Sequence, residues 1–165
     1  MAKLALINRE EQRRQMVAQF EREWATSRPA EPGPMTRHQL VTLASIVEKE
    51  TGVAEERPLI ARVFLNRLQR NMRLQSDPTV IYGIPDFTGN LTRAHLRQAT
   101  PYNTYVIPAL PPGPICNPGR AALEAVLRPA DANALYFVSK NDGTHVFSTN
   151  LADHNRAVRT YQKTR

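Results

Sequence analysis

Cysteine and long apolar runs are scarce in this chain of 165 residues, and each scarcity excludes something. Cys116 is the one cysteine, so no internal disulfide can form and a zinc–thiolate site has no second thiol to draw on. The longest apolar runs, such as Ala134-Leu135-Tyr136-Phe137-Val138, fall far short of the ~20 residues needed to cross a bilayer. Met1 to Ile7 carries a lysine and a few apolar residues but runs straight into Arg9, Glu10, Glu11, Arg13 and Arg14. It lacks the apolar middle and small-residue cleavage site of a secretory leader, so no export signal is expected in the chain as it stands. His145 and His154 lack the local spacing of a zinc site.

What is present is the composition of a globular domain, 41% hydrophobic and 22% charged. A chain of this length buries a sufficient core without disulfides or a structural metal, and one folded unit is expected. The formal charge of +7 would suit an acidic partner such as nucleic acid, an anionic membrane or an acidic wall polymer. The basic residues, however, are spread along the chain among acids and form no aromatic-basic cluster, so nucleic acid is not the expected partner.

Met16, Val17, Phe20 and Trp24 recur at helical spacing between Glu10 and Ala25, which predicts an amphipathic helix docked on the rest of the domain. Ser27 to Pro34, with three prolines and a glycine, reads as a linker. Thr36-Arg37-His38-Gln39 fits a capping box, and the apolar run from Leu40 to Val47 predicts a helix over about 37–51, stopped by Gly52. A second helix begins near Pro58 and carries Ile60, Val63, Phe64 and Leu68 on one face. From Leu74 to Pro118 the prolines forbid long regular elements; Asp77-Pro78 and Asn117-Pro118 read as helix starts, the latter leading through Leu123 and Leu127. Leu135 to Val138 and His145 to Ser148 flank Asn141-Asp142-Gly143, a hairpin pattern. A closing helix over about 151–163 places Leu151, Val158 and Tyr161 near one stripe.

The candidate for chemistry is Glu50. Leu43, Ile46, Val47 and Glu50 stand at i, i+3, i+4 and i+7, so an acid continues the apolar stripe of its helix. Desolvation against Ile46 and Val47, together with the partial negative charge of a helix C-terminus, raises its pKa toward what a general acid needs. Glu48 lies about 200° away around the helix, so the two cannot face one substrate. It sits toward the stripe's margin, where solvent and Lys49 or Arg62 keep it an ordinary anion, and it is the reserve candidate. The stripe alone leaves a structural reading open, with Glu50 tied to Arg57 or Arg62 or standing as a helix-end residue with no role.

A long, ordered set of motifs then narrows the field. Leu43-Ala44-Ser45-Ile46-Val47-Glu48-Lys49-Glu50-Thr51-Gly52, Asn66-Arg67-Leu68, Leu74-Gln75-Ser76-Asp77-Pro78-Thr79-Val80-Ile81-Tyr82-Gly83 and Tyr102-Asn103-Thr104-Tyr105 stand in sequence, followed by Leu110-Pro111-Pro112-Gly113-Pro114-Ile115 and Asn117-Pro118-Gly119. Leu135-Tyr136-Phe137-Val138, His145-Val146-Phe147 and His154-Asn155 complete them. From about residue 40 to the end, the chain resembles the endolytic murein transglycosylase (YceG-like) family.

The resemblance implies a lyase that cleaves the β-1,4 bond between N-acetylmuramic acid and N-acetylglucosamine within glycan strands, leaving 1,6-anhydromuramic ends, with Glu50 as the acid and base. The Glu50-Thr51 pair is similar to the Glu-Ser pair of other lytic transglycosylases and goose-type lysozymes. One carboxylate suffices because the muramic C6 hydroxyl attacks its own C1, and no metal or organic cofactor is required. Gln75, Asp77, Tyr102, Asn103, Thr104 and His145 are the candidates for lining the glycan groove. Each also has a plainer reading: Asp77 as an N-cap, Asn103 as a turn brace, Tyr102 and Tyr105 as core, and one of His145 and Phe147 as core with the other as rim. The expected architecture is a single α+β domain, mostly helical, with a small antiparallel sheet around the 135–148 hairpin and the groove between that sheet and the Glu50 helix. Residues 1–35 form the N-terminal helix and linker, and 36–165 the catalytic domain. Family members typically carry a membrane-spanning helix and a LysM-like domain ahead of it, so these residues are expected to be part of a longer membrane-anchored protein acting outside the cytoplasmic membrane. Penicillin-binding proteins are the partners the family suggests. A catalytically silent glycan-binding module is the alternative function.

Overall fold

The computed structural model describes residues 9–27 and 35–162. The capping box forms as its sequence dictates: Thr36 Oγ1 accepts from the Gln39 amide at 3.2 Å, and Gln39 Oε1 accepts from the Thr36 amide at 2.8 Å. Two of the orphan donors of a helix start are thereby satisfied. The helix that follows α1 (Arg9–Ser27) is α2, Arg37–Glu50. Every residue from Thr42 to Val47 is buried, so α2 is wrapped by its neighbours rather than laid on them along one stripe. It ends where Thr51 turns to extended backbone and Thr51 Oγ1 accepts from the Val53 amide at 3.0 Å.

A 3₁₀ turn, Ala54–Glu56, leads into α3 (Arg57–Gln69), with Pro58 in its first turn as anticipated. Two short helices follow, α4 (Asp77–Tyr82) and α5 (Arg93–Arg97), and then α6, Arg120–Leu127. The last of these starts later than Asn117-Pro118 suggests, because Gly119 is the N-cap. Leu43, Ile46 and Val47 of α2, Ile60 and Phe64 of α3, and Leu123 and Val126 of α6 make the core. Each fully buried side chain of this size contributes ~1.5–3 kcal/mol.

The hairpin forms between β1 (Tyr136–Ser139) and β2 (His145–Ser148), antiparallel, with Phe137 opposite Phe147. Its turn uses left-handed backbone at Asn141 (φ 65) and Gly143 (φ 90), residue types that accept positive φ. These are the strands among the described residues. Phe137 meets Phe64 edge-on at 5.7 Å, which joins the hairpin to the core. The closing helix is α7, Leu151–Tyr161, but its inward stripe differs from the expected one. Leu151 is exposed while Ala157 is buried, and His154 stacks on the Tyr136 ring at 5.1 Å.

The N-terminal helix docks as expected: Phe20 packs on the core, and the Arg37 guanidinium lies over the Phe20 and Trp24 rings at 4.9 and 5.1 Å. The linker expected over 27–34 falls, apart from Ser27, outside the described residues. No helix among the described residues is long and apolar enough to cross a membrane.

Candidate active site

Glu50 closes α2 and is half-buried. Ser76, just before α4, donates its hydroxyl to Glu50 Oε1 at 2.5 Å. Oε2 accepts no hydrogen bond among the described residues and is not among their fully buried orphaned atoms, so it is the carboxyl oxygen that keeps some exposure to solvent. Burial pushes the Glu50 pKa up to about 7 from 4.5; the Ser76 hydrogen bond opposes this, the Asp77 charge adds to it and the Arg67 charge opposes it. One structural alternative for this acid was a pairing with Arg57 or Arg62. Neither occurs: Arg57 lies 3.8 Å from Glu48, and Arg62 Nε donates to the Ala130 carbonyl at 2.6 Å.

Ser76 is itself held from behind. It is 2% exposed, its amide donates to Thr104 Oγ1 at 2.9 Å, and its carbonyl accepts from Thr79 Oγ1 at 2.7 Å. Thr104 and Thr79 share a hydroxyl–hydroxyl bond of 2.8 Å. Both threonines are fully buried. The Asn103 side chain, also fully buried, donates to the carbonyls of His95, Leu96 and Gln98 and accepts from the Tyr105 amide, pinning the loop that carries Thr104.

This changes the role of several groove candidates. Asn103 and Thr104 have no surface to offer a ligand and act as braces, as the plainer reading of Asn103 had it. Asp77 is exposed and adjoins Glu50 electrostatically; it is not the cap of α4, a position Ser76 takes, but accepts from Tyr105 Oη at 2.6 Å. Gln75 is exposed in left-handed backbone (φ 55), its amide oxygen 3.4 Å from Arg67 Nη1. Tyr102 is half-buried with its ring 4.7 Å from that of Tyr82.

His145 is engaged elsewhere. Its Nδ1 lies 2.7 Å from Glu56 Oε2, its amide donates to Glu56 Oε1, and both side chains are nearly buried. Phe147 packs on the core, so the expected split of these two between core and rim does not arise cleanly. The groups around Glu50 therefore come from α3, α4, the residue before α4 and the loop that carries Tyr105, and among the described residues the hairpin reaches them through Arg67. That is a correction to the groove expected between hairpin and helix.

Thr51, the second member of the Glu50-Thr51 pair, turns its hydroxyl into the backbone of its own turn, and the hydroxyl that meets Glu50 comes from Ser76. Glu48 is held by Arg57 and by the Gly119 amide, which donates to its Oε2 at 3.1 Å, so the anion expected beside Lys49 or Arg62 is paired with neither.

Arg67 and Tyr105 also belong to the site though neither stood among the groove candidates. Arg67 is 7% exposed, donates to the carbonyls of Leu135, Arg73 and Leu74, and lies 5.2 Å from the Tyr136 ring. Burial, reinforced by the Asp77 carboxylate, pushes the Tyr105 hydroxyl above its usual range and keeps it a proton donor. Both residues sit inside the motifs already quoted, which was the available signal.

A separate cleft of about 370 Å³ lies between α1, α2 and residues 114–118. It is lined by Val17, Phe20, Val41, Pro114, Cys116, Asn117 and Pro118, none of them a partner of Glu50. Its one titratable group is Cys116, whose thiol burial pushes up, so it is not a ready nucleophile. Among the described residues no group of three or more His, Cys, Asp or Glu could hold a metal ion.

Comparison with known proteins follows the same line. A model of the YceG-like family matches residues 6–160. The chain is similar to a protein named endolytic murein transglycosylase from Bacillus subtilis (strain 168), 42% identical over 124 residues, covering 75% of this chain and 34% of that one. A protein of the same name from Streptococcus pneumoniae serotype 2 is 37% identical over 130 residues, covering 75% of this chain and 24% of that one. The chain thus spans about a quarter to a third of the length of these curated relatives. A crystal structure of a yceG-like protein from Listeria monocytogenes matches with a TM-score of 0.69 at 38% identity, covering 85% of this chain and 43% of that chain.

Proposed function

The chain belongs to the YceG-like family, and from that premise we propose that it is the catalytic part of an endolytic peptidoglycan lytic transglycosylase with Glu50 as its single acid and base. The observation that carries this reading is one carboxyl at a helix end with Oε1 held by a buried hydroxyl, Oε2 open, and a pKa raised to about 7. Such a group holds a proton near neutral pH and can deliver it outward. The two relatives named as endolytic murein transglycosylases support glycan strands of peptidoglycan as the substrate.

In the first step Glu50 gives its proton to the glycosidic oxygen as the C1–O bond breaks, and positive charge develops at C1 and the ring oxygen. The carboxylate left behind opposes that charge at close range. In the second step the muramic C6 hydroxyl attacks C1, and its proton passes to Glu50 as the anhydro ring closes. The acid is regenerated and no water is consumed. The site of action in this reading is the cell wall, outside the cytoplasmic membrane.

The test is to incubate the chain and its Glu50→Gln variant with uncrosslinked glycan strands and to read the new ends by mass spectrometry. Anhydromuramic ends from the wild type alone are the expected result. Reducing ends would make the protein a hydrolase, with the neighbouring Asp77 as the first candidate for the second carboxylate. Cleavage by neither form would favour the silent glycan-binding alternative or a catalytic part that needs the rest of a longer protein.

A further inference from the structure

The hydroxyl of Ser76 has one partner among the described residues, Glu50 Oε1 at 2.5 Å. Although Ser76 occupies the N-cap of α4, its side chain makes no cap hydrogen bond. The hydroxyl is thus free of the local duty that serines at helix starts usually perform. At 2% exposure Ser76 has little access to water as a substitute acceptor. Its backbone is clamped at both ends by Thr104 and Thr79, so the hydroxyl stays beside the carboxyl.

These facts constrain where Glu50 can carry a proton. With the proton on Oε1, the carboxyl would donate toward Ser76 Oγ, and the serine's own hydroxyl proton would be left in a buried site without an acceptor, which is costly. With the proton on Oε2, Ser76 donates to Oε1 in both ionisation states and nothing is orphaned. We infer that Ser76 is a positioning residue that assigns the proton of Glu50 to Oε2, the oxygen open to substrate.

On the transglycosylase reading, on which this role rests, a single oxygen then serves both steps. Oε2–H protonates the leaving oxygen as the C1–O electron pair departs with it. The same Oε2 takes the C6 hydroxyl proton as the C1–O6 bond forms, and the carboxyl need not turn over between the two.

The experiment uses the whole chain with ¹³C-labelled glutamate side chains and compares wild type with Ser76→Ala by difference infrared spectroscopy across a pH titration. The difference against Glu50→Gln identifies the band. With the proton on Oε2 the acid's carbonyl is Oε1, so Ser76→Ala should remove its hydrogen bond and raise its stretching frequency. The titration midpoint should also move above about 7, because Ser76 is the hydrogen bond that holds it down. On glycan strands, Ser76→Ala should lower kcat about tenfold with little change in KM, and shift the basic limb of the pH profile upward. An unchanged carbonyl band and midpoint would overturn the assignment. The spectroscopy needs no substrate, so its outcome is independent of whether the wild type makes anhydro ends, the result by which the transglycosylase reading itself stands or falls.

Discussion

Glu48 and Glu50 are the same residue type two positions apart at the end of one helix, and their surroundings could hardly differ more. Glu48 has a cation, Arg57, at 3.8 Å and a backbone amide on its other oxygen. Glu50 has no cation in contact among the described residues; it has one hydroxyl, a desolvating wall and the negative end of α2. About 200° of helix rotation separates the two, enough to turn one toward α6 and the other toward α4. Carboxylate chemistry here is set by the neighbours that each helix face meets: Arg57 and the Gly119 amide for Glu48, the Ser76 hydroxyl for Glu50. An anion given a cation and an amide is a strut. An acid denied both is a proton carrier.

Four experiments test that contrast and the loop that supports it. The largest effect expected is on catalysis: Glu50→Gln should lower the cleavage rate by about 10³-fold or more, whereas Glu48→Gln should leave it within about threefold, as a paired surface-edge residue would. A loss of activity in both would merge what we separate. Next, Asn103→Ala leaves several buried loop groups unpaired and should cost about 3 kcal/mol, seen as a lower midpoint in urea unfolding.

The third concerns pH. The folded Glu50 pKa of about 7 lies above its unfolded value of 4.5, so the folded chain binds more protons between those values and loses stability as pH rises through that window. Glu50→Gln should therefore be more stable than wild type by about 1–2 kcal/mol at pH 8, discounted for partial exposure, and the advantage should vanish below pH 4.5 in thermal melts. The smallest effect belongs to the strut: Glu48→Ala deprives Arg57 and the Gly119 amide of their acceptor and should cost about 1 kcal/mol without altering the pH profile of cleavage.

How much of this was legible in the sequence follows the range of the interactions. The capping box at Thr36, the stripe ending in Glu50 and the Asn141-Asp142-Gly143 turn are signals carried within a few residues, and α2 and the hairpin follow them closely. The partner of Glu50 was not legible in this way, because Ser76 lies 26 positions away and no periodicity joins them. Asn103, Thr104 and His145 show the same limit from the other side. Their polar side chains announce hydrogen bonding, but whether a hydrogen bond points at a ligand or at a buried carbonyl depends on packing. Leu151 was misplaced because the face of α7 turned inward carries Ala157 and His154, the latter stacked on Tyr136, a contact between elements.

The measurement that bears most directly on Glu50 as a neutral-pH acid is its titration, followed through the side-chain carboxyl ¹³C resonance of the whole chain and assigned by its loss in Glu50→Gln. A midpoint near 7 is expected. A midpoint near the ordinary 4.5 would mean that Glu50 is as much an anion at neutral pH as an unburied glutamate, and would contradict the role given to it here.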